Sequence, residues 1–354
     1  MKKMGLWLLA AMALLQSCST EIDVTADWEE RTIVYSIVNK TDLQHYIRIH
    51  KAFLDPNTSA LLQAGIKDSL YFQNLDVEIT EIKNGAVLRT FSCEEVDTNL
   101  IEPGIFAFPD QVLYRFTTPN GMDSTAEYRL NIVTPGGQVV RSSLFPIGSF
   151  SLTSFNTIIP PNTPFLPVNF TGLNWSNPAA LRVAFRAPRN AKNWNLTVRV
   201  IYNEWPVGNI GDSVRKFIDW PVVRNRPFST VNSNEAVEFR MFGRDLFSFM
   251  ASTIPVDANL QRRMRGTIFI LTFVDEPLTN FLTLNTSSSS ATDVRPEYTN
   301  IENGLGIFGT TYEIPKRSDL VNADPYTNFG YRAVEGGRGT DSLRARYPQL
   351  NFVP

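Results

Sequence analysis

The sequence predicts an all-β protein, with an N-terminal immunoglobulin-like sandwich followed by a second β-rich, sandwich-like domain that has one or two short helices. Period-2 alternation of apolar and polar residues recurs along the chain. Turns containing Gly or Asn separate the alternating segments. The 354 residues are also too many for one ordinary core, at roughly 150 residues per domain. With 43% hydrophobic and 19% charged residues, the chain has the composition of a folded protein.

The first predicted domain, residues 31–148, is a series of short strands separated by turns. Its expected strands are RTIVYSIV (31–38), HYIRIHKAFL (45–54), VEITEIK and AVLRTF on either side of residues 84–85, TAEYRLNIV (125–133), and a strand returning after Gly136-Gly137. Asn84-Gly85 is a strong hairpin signal, because both central residues of such a turn must tolerate positive φ. At least six strands without a convincing helix predict an immunoglobulin-like sandwich.

A second β-rich domain is predicted over residues 149–310. The Pro-rich stretch 158–167 interrupts the strand pattern, because proline cannot donate to a strand ladder. Strands resume at LRVAFRAP (181–188), WNLTVRVIY (194–202) and TIFILTFV (267–274). The last of these is apolar on both faces and is expected to be a central strand.

Two short helices are predicted in the second domain. In GRDLFSFMAS (243–252) and DEPLTNFL (275–282), apolar residues recur at helical spacing. Asp275 is expected to cap the second helix, with Pro277 in its first turn. Beyond residue 310 the chain is rich in Gly, Pro, Asn and Asp without periodicity, so the segment 311–354 is predicted to be irregular.

Residues 1–17 have the pattern of an export signal. Lys2 and Lys3 precede an apolar run over residues 6–15, and Ser17 is the small residue expected before cleavage. The run is too short to cross a bilayer, which takes roughly 20 residues. Cys18 completes the tetrapeptide LQSC, which resembles the lipobox of bacterial lipoproteins. The resemblance implies that Cys18 carries lipid and becomes the new N-terminus, whereas plain secretion is the alternative.

An acidic linker is expected over residues 18–30. Its five acidic side chains precede the first basic residue of the mature chain: Glu21, Asp23, Asp27, Glu29 and Glu30. They resemble the signal that directs Bacteroidetes-type lipoproteins to the outer face of the outer membrane, and a solvated tether is the alternative. We therefore predict a protein anchored by lipid in the outer membrane, on its periplasmic or cell-surface face.

Cys93 is expected to be a small buried side chain rather than a reactive thiol.

Binding to nucleic acids or nucleotides is not expected. The formal net charge is -2, and the sequence lacks a basic stripe interleaved with aromatic residues. Gly304, Gly306 and Gly309 spell GxGxxG, but the flanking sequence predicts neither a buried strand before the motif nor a helix after it. The glycines are instead predicted to permit tight turns. The apolar residues among them are expected to pack onto the second domain: Leu305, Ile307 and Phe308.

The sequence matches no catalytic template, and we predict neither a metal nor a cofactor. His45 and His50 are the only histidines, and their spacing within one strand puts them on opposite faces. The motifs HExxH, GxSxG and CxxC do not occur. Glycoside hydrolysis by two carboxylates needs no histidine, so a surface hydrolase directed at glycans stays open as an alternative. Doublets such as Glu94-Glu95 are typical of a strand or a solvated turn.

Tryptophan residues favour a non-catalytic binding role. Four of them lie within the second predicted domain: Trp175, Trp194, Trp205 and Trp220. Exposed aromatic rings can stack on sugars or on apolar surfaces of a partner. We predict that Trp205 and Trp220 line a surface for a glycan, a peptide or a partner protein. Burial in the core is the alternative, above all for Trp194.

The lipobox, the early VYSIVN and HYIRIHKAFL, and the late YTNIENGLGIFG (298–309) together resemble a family of Bacteroidetes outer-membrane lipoproteins known only as a domain of unknown function. The resemblance covers nearly the whole mature chain. It implies a setting beside TonB-dependent receptors, and therefore an accessory role in uptake. A third hypothesis is a structural protein of adhesion or envelope assembly. The resemblance assigns no catalytic residue.

Four Asp-Ser tripeptides look like the short motif for O-glycosylation of exported Bacteroidetes proteins. Their acceptor residues are Ser69, Ser124, Ser213 and Ser342. Ordinary turn chemistry is the alternative explanation of these tripeptides, because Asp and Ser both bond readily to nearby backbone groups.

Overall fold

The computed structural model describes residues 31–52, 66–98, 111–149, 152–155, 181–286, 298–314 and 343–353. It confirms the predicted all-β class, with several sheets and few short helices. The described strands are β1 (Thr32–Asn39), β2 (Gln44–Lys51), β3 (Asp76–Lys83), β4 (Ala86–Ser92), β5 (Glu94–Thr98), β6 (Gln111–Thr117), β7 (Glu127–Val133), β8 (Val139–Leu144), β9 (Leu152–Phe155), β10 (Leu181–Arg186), β11 (Asn193–Pro206), β12 (Val214–Pro227), β13 (Ala236–Met241), β14 (Leu260–Val274) and β15 (Gly304–Ile314). The described α-helices include α1 (Lys67–Leu70), α2 (Gly243–Thr253) and α3 (Glu276–Thr286), and Ile210–Asp212 and Pro348–Leu350 form short 3-10 helices.

The described strands form three sheets. An eight-stranded sheet has the order β12-β11-β14-β15-β1-β2-β6-β5, a four-stranded sheet the order β4-β3-β7-β8, and a three-stranded sheet the order β13-β10-β9. The large sheet therefore combines strands from both predicted domains. Its two halves contribute to two different hydrophobic cores.

The first core lies between the four-stranded sheet and the β1, β2 and β6 part of the large sheet. Period-2 alternation produces it: along β7, Tyr128, Leu130 and Ile132 are at most 1% exposed, while the residues between them face outward or are half-buried. The predicted hairpin between β3 and β4 is confirmed, since Asn84 has φ 52° and Gly85 has φ 80°. Local sequence therefore determines much of this half.

The second core is enclosed by β11, β12 and β14, by β10 and β13, and by α2. The segment 267–274 was expected to be a central strand, and this is confirmed, because β14 pairs with β11 on one side and β15 on the other. Neighbouring residues Phe269 and Ile270, which point to opposite faces, are 1% and 0% exposed. Both predicted helices are also confirmed, as α2 and α3.

Residues 343–353 fold against the second core, although the whole segment 311–354 was expected to be irregular. Leu343, Leu350 and Phe352 are all part of that core. The backbone N–H of Arg262 donates to Asn351 O (3.0 Å), and Val353 N–H donates back to Arg262 O (2.8 Å). Strand β15 likewise runs four residues past the predicted boundary at 310. Both segments take up regular structure because they pair with strands that are distant in sequence, and the local sequence does not reveal that pairing.

The parallel pair of β1 and β15 connects the two halves of the large sheet. Its register runs from Thr32 opposite Gly304 to Asn39 opposite Thr311. Gly306 lies opposite Val34 with φ 105°, and a Cβ atom built there would overlap the carbonyl oxygen of Val34. Only glycine permits so close an approach of the two backbones in this conformation. The GxGxxG spacing thus serves strand pairing.

The expectation that the apolar residues among these glycines pack onto the second domain is wrong for Phe308 but holds for Ile307. Phe308 is fully buried in the first core. Ile307, which is 1% exposed, packs in a small separate cluster with Val274 and Leu278 of the α3 region. Leu305 is half-buried. The reason is that this segment is a strand rather than a turn, so its successive side chains alternate between two faces.

We predict that Gly306→Ala lowers the free energy of unfolding by about 3 kcal/mol or more, because a side chain at positive φ would also collide with the β1 backbone. Urea unfolding of both proteins measures the difference. Gly136→Ala is the matched control, since Gly136 lies in a turn without positive φ and its added Cβ would come no closer than 3.8 Å to Thr134 Oγ1. Equal losses of stability in the two variants would contradict the explanation.

Candidate functional site

A concave group of polar and charged side chains lies where the two cores meet. We call it the junction cavity, a space of about 710 Å³ bounded by residues 186–190 together with Ser124, Thr125, Phe145, Ser149, Asn232 and Asn234. The turn before β7 and the segment after β8 supply one side. The turn between β10 and β11 and the loop before β13 supply the other. The volume is in the range of small-molecule sites.

Asn190 fixes the geometry of the junction cavity by connecting three segments. Its Nδ2 donates to Ser124 O (3.1 Å) and Pro146 O (2.9 Å), and its backbone N–H donates to Asn232 Oδ1 (2.8 Å). Asn190 has φ 64°, a left-handed conformation that asparagine tolerates better than most residues. Gly148 adds a fourth link, because its N–H donates to Arg189 O at 2.8 Å. These hydrogen bonds therefore connect the segments that form the cavity walls.

Two charged side chains line the junction cavity, and both belong to arginines. Arg186 and Arg189 are exposed, and Arg186 Nη1 donates to Asn234 O (3.1 Å). Asp123, just outside the lining, accepts a hydrogen bond from Lys83 Nζ (2.7 Å), which is the main reason that its pKa falls to about 2. That carboxylate is therefore already neutralised within the protein.

A lysine lies at the rim of the junction cavity. Lys40 Nζ donates to Ser149 Oγ (2.6 Å) and lies 5.1 Å from the centroid of the Tyr312 ring. Partial burial lowers the pKa of Lys40, and the nearby Asp123 opposes that effect. The rim thus adds a third cationic group to those of the cavity wall.

The sequence did not single out Arg186, Arg189 or Asn190 as site residues. A signal was nevertheless available: residues 128–203 contain no Asp or Glu and seven Lys or Arg, over 76 positions. The tetrapeptide APRN (187–190) within this run is also typical of a turn. Arg186, Arg189 and Asn190 come close to residues 232–234 only in the tertiary structure, and local sequence patterns do not reveal this.

A second concavity, the sheet trough, lies over the exposed face of the four-stranded sheet and measures about 740 Å³. It is lined by residues of β3, β4, β7 and β8 and by the segment 298–303, and its charged residues have both signs: Glu78, Arg129, Arg141 and Glu302. Because acids and bases alternate there, it has no single electrostatic preference. The trough is therefore the weaker candidate.

The predicted exposure of Trp205 is wrong. Its side chain is 4% exposed, donates from Nε1 to Gln261 Oε1 (3.3 Å), and lies under the guanidinium of Arg263 at 5.7 Å. Strand pairing explains the burial, because β11 continues through Pro206 and pairs with β14 to its end. The burial alternative applies to this residue.

Trp220 is half-buried and stacks on Phe249 of α2, with ring centroids 5.9 Å apart. It packs against the second core. Trp194, as the burial alternative anticipated, belongs to that core at 1% exposure, and Trp175 lies outside the described residues. The structure therefore does not bring Trp205 and Trp220 together on one open surface.

The two histidines lie on opposite faces of β2, as their spacing predicted. His45 is buried, stacks on Phe116 and shares a hydrogen bond with Thr118 Oγ1 (2.8 Å). His50 stacks on Tyr35 instead, and burial is the main reason that its pKa falls to about 4. Both rings thus have structural contacts.

Other reactive candidates also have packing roles. Cys93 packs against the first core, and burial raises its pKa to about 12, which opposes formation of the reactive thiolate. Glu94 accepts a hydrogen bond from Arg115 Nε (2.6 Å), whereas Glu95 accepts one from Tyr114 Oη (3.2 Å). Adjacent carboxylates on opposite faces of β5 cannot act together on one bond. The described residues contain no group of three or more His, Cys, Asp or Glu placed to hold a metal ion.

The predicted modification sites fall in different settings. Cys18 and Ser342 lie outside the described residues, and for Ser69 in α1 only the backbone is described. Ser124 lines the junction cavity, next to an Asp123 side chain that accepts from Thr125 N (2.8 Å), which is the expected turn chemistry. Ser213 accepts a hydrogen bond from Asn203 Nδ2 (3.1 Å).

Comparisons of the chain with protein-family models and with curated proteins returned no match. Among the helices of the described residues, none is long and apolar enough to span a membrane.

Asp275 is the most perturbed carboxyl group near the join of the two cores. As predicted, it caps α3: Oδ1 accepts from Leu278 N (2.9 Å), while Oδ2 accepts from Thr310 N of β15 (2.8 Å). Burial outweighs these bonds and raises its pKa to about 7. Because the folded protein then binds a proton that the unfolded chain releases above its ordinary pKa of 3.8, stability falls as pH rises through this window.

We predict that the free energy of unfolding falls by on the order of 3 kcal/mol between pH 4 and pH 8 on account of Asp275. Asp275→Asn should flatten this dependence while costing stability at low pH, because an amide cannot accept from both backbone donors. Denaturant unfolding at several pH values measures the effect. Asp245→Asn, in the first turn of α2, controls for the loss of a carboxylate. A wild-type pH dependence retained in Asp275→Asn would disprove the assignment.

Proposed function

We propose that the protein is a non-catalytic binding protein held in the outer membrane by lipid on Cys18, with the junction cavity as its ligand site. The observation that carries this proposal is the cavity wall held together by hydrogen bonds, which two exposed arginines line. A wall that is already ordered loses little conformational entropy when a ligand binds, which favours affinity. Its lining of amides, hydroxyls, guanidinium groups and one exposed ring is suited to recognition.

The side chains of the cavity supply complementary contacts. Phe145 is 48% exposed and offers an apolar surface. Asn232 uses its carbonyl oxygen for Asn190, which leaves its amide donors for a ligand. Arg186 uses one donor on Asn234 O and has four more. A ligand with both a polar rim and an apolar face would satisfy these groups.

The proposed anchor limits how far the folded chain lies from the membrane. Residues 19–31 separate Cys18 from β1, and 13 residues span at most about 45 Å when fully extended. A binding protein whose first strand is tethered in this way presents its ligand at high effective concentration to a neighbouring membrane protein. This supports an accessory role beside a TonB-dependent receptor.

We predict that protein purified from its own cells in mild detergent carries a bound small molecule, detected by native mass spectrometry. Ser149→Trp should lose it, because an indole at this exposed lining position fills the cavity mouth at the cost of one exposed hydrogen bond. Ser252→Trp, at an exposed position of α2, is the control and should retain it. Absence of a ligand from the wild type, or its retention in Ser149→Trp, would contradict the cavity assignment.

For the anchor, we predict that the intact mass of the native protein corresponds to a chain beginning at Cys18 with attached acyl groups. Cys18→Ser should leave the membrane fraction, whereas Cys93→Ser should remain, because only the first substitution removes the lipidated thiol. A TonB-dependent receptor is expected to co-purify with the anchored forms. An unmodified mass at the N-terminus would refute the anchor.

A further inference from the structure

We infer that the junction cavity selects an acidic carbohydrate, with a uronic-acid carboxylate against Arg186 and Arg189 and the sugar ring against Phe145. This inference rests on the proposal that the cavity is a ligand site, and it adds the chemical class of the ligand.

Local charge favours an anion. Most of the cavity wall comes from residues 128–203, the stretch that contains no carboxylate side chain. Two acids adjoin lining residues in sequence: Asp123 is paired with Lys83 at 2.7 Å, and the carboxylate of Glu235 accepts hydrogen bonds from the backbone N–H and the hydroxyl of Ser229. Lys40 at the rim adds positive charge. A negatively charged ligand would therefore meet cationic groups without a competing carboxylate from the cavity lining.

The two arginines retain the donors that a carboxylate needs. Within the described part of the chain, no hydrogen bond or ion pair joins the guanidinium of Arg189 to another residue, and only Asn234 O accepts from that of Arg186. A guanidinium presents parallel N–H groups that match the two oxygens of a carboxylate. By contrast, the buried Arg262 directs its donors to Glu204, Leu350 O and Pro255 O. The cavity arginines are thus available where Arg262 is not.

The rest of the wall suits a sugar rather than a simple anion. The ring of Phe145 is 48% exposed beside the arginines, and a sugar can place its C–H face on such a ring. The hydroxyl of Ser124 and the amide of Asn232 also lie in the lining and can bond to sugar hydroxyls. A space of about 710 Å³ is far larger than a phosphate or sulfate ion requires.

The test is calorimetric titration of the mature protein in detergent with disaccharides of galacturonate, glucuronate and mannuronate, with their neutral methyl esters, and with inorganic sulfate. We expect at least one uronate disaccharide to bind with a Kd about tenfold lower than that of its ester, and sulfate not to displace it. Arg186→Gln and Arg189→Gln should each raise the Kd for the uronate about tenfold or more, and should leave ester binding unchanged.

Phe145→Ala should weaken acid and ester alike, because a ring contact does not sense charge. Arg244→Gln, which removes an exposed arginine of α2, is the matched control and should leave every Kd unchanged. Equal affinity for acid and ester, or no effect of Arg189→Gln, would overturn the inference, as would failure of all three uronates or displacement by sulfate. If a neutral ligand binds and Ser149→Trp abolishes that binding, the inference fails while the proposed function stands.

Discussion

The whole architecture depends on the close parallel approach of β1 and β15 at Gly306. Without it, the strands around β2 and β6 would form one sheet and those around β11 and β14 another, each with an open edge. The pair makes a single sheet that contributes to both cores, and continuous strand pairing therefore links the two halves. The junction cavity inherits its geometry from this constraint, because its walls come from loops on both sides of the join. The cavity therefore lies between two modules that share one sheet.

How far the sequence predicted the structure depends on the range of the interactions involved. The Asn84-Gly85 hairpin, the alternation of β7 and the Asp275 cap each need only a few neighbouring residues, and all were predicted. The pairing of β1 with β15 joins two distant segments whose sequences do not indicate that they pair. The GxGxxG motif therefore suggested turns, although it lies within strand β15. Trp205 was misplaced for the same reason, because its burial depends on β14. The cavity was missed because its residues converge from four separate loops.

Arginine has two distinct uses in this protein. In the second core, Arg262 is 1% exposed and is surrounded by acceptors, which holds residues 343–353 in place. A buried charge is tolerated there only because its donors have partners. At the junction, Arg186 and Arg189 are exposed. The same residue type therefore stabilises one site and leaves binding capacity at the other, and burial distinguishes them better than sequence context does.

The separation of β1 from β15 along the chain also constrains how the protein is made. Between them lie residues 40–303, so 264 residues must be synthesised before β1 can find its second neighbour. Throughout that interval, one side of β1 presents unpaired N–H and C=O groups, which invite pairing with another copy or with the wrong strand. Contacts so distant in sequence also form slowly. The pairing that joins the two halves of the sheet therefore comes late, and chaperones would have the most to protect just before Gly306 arrives.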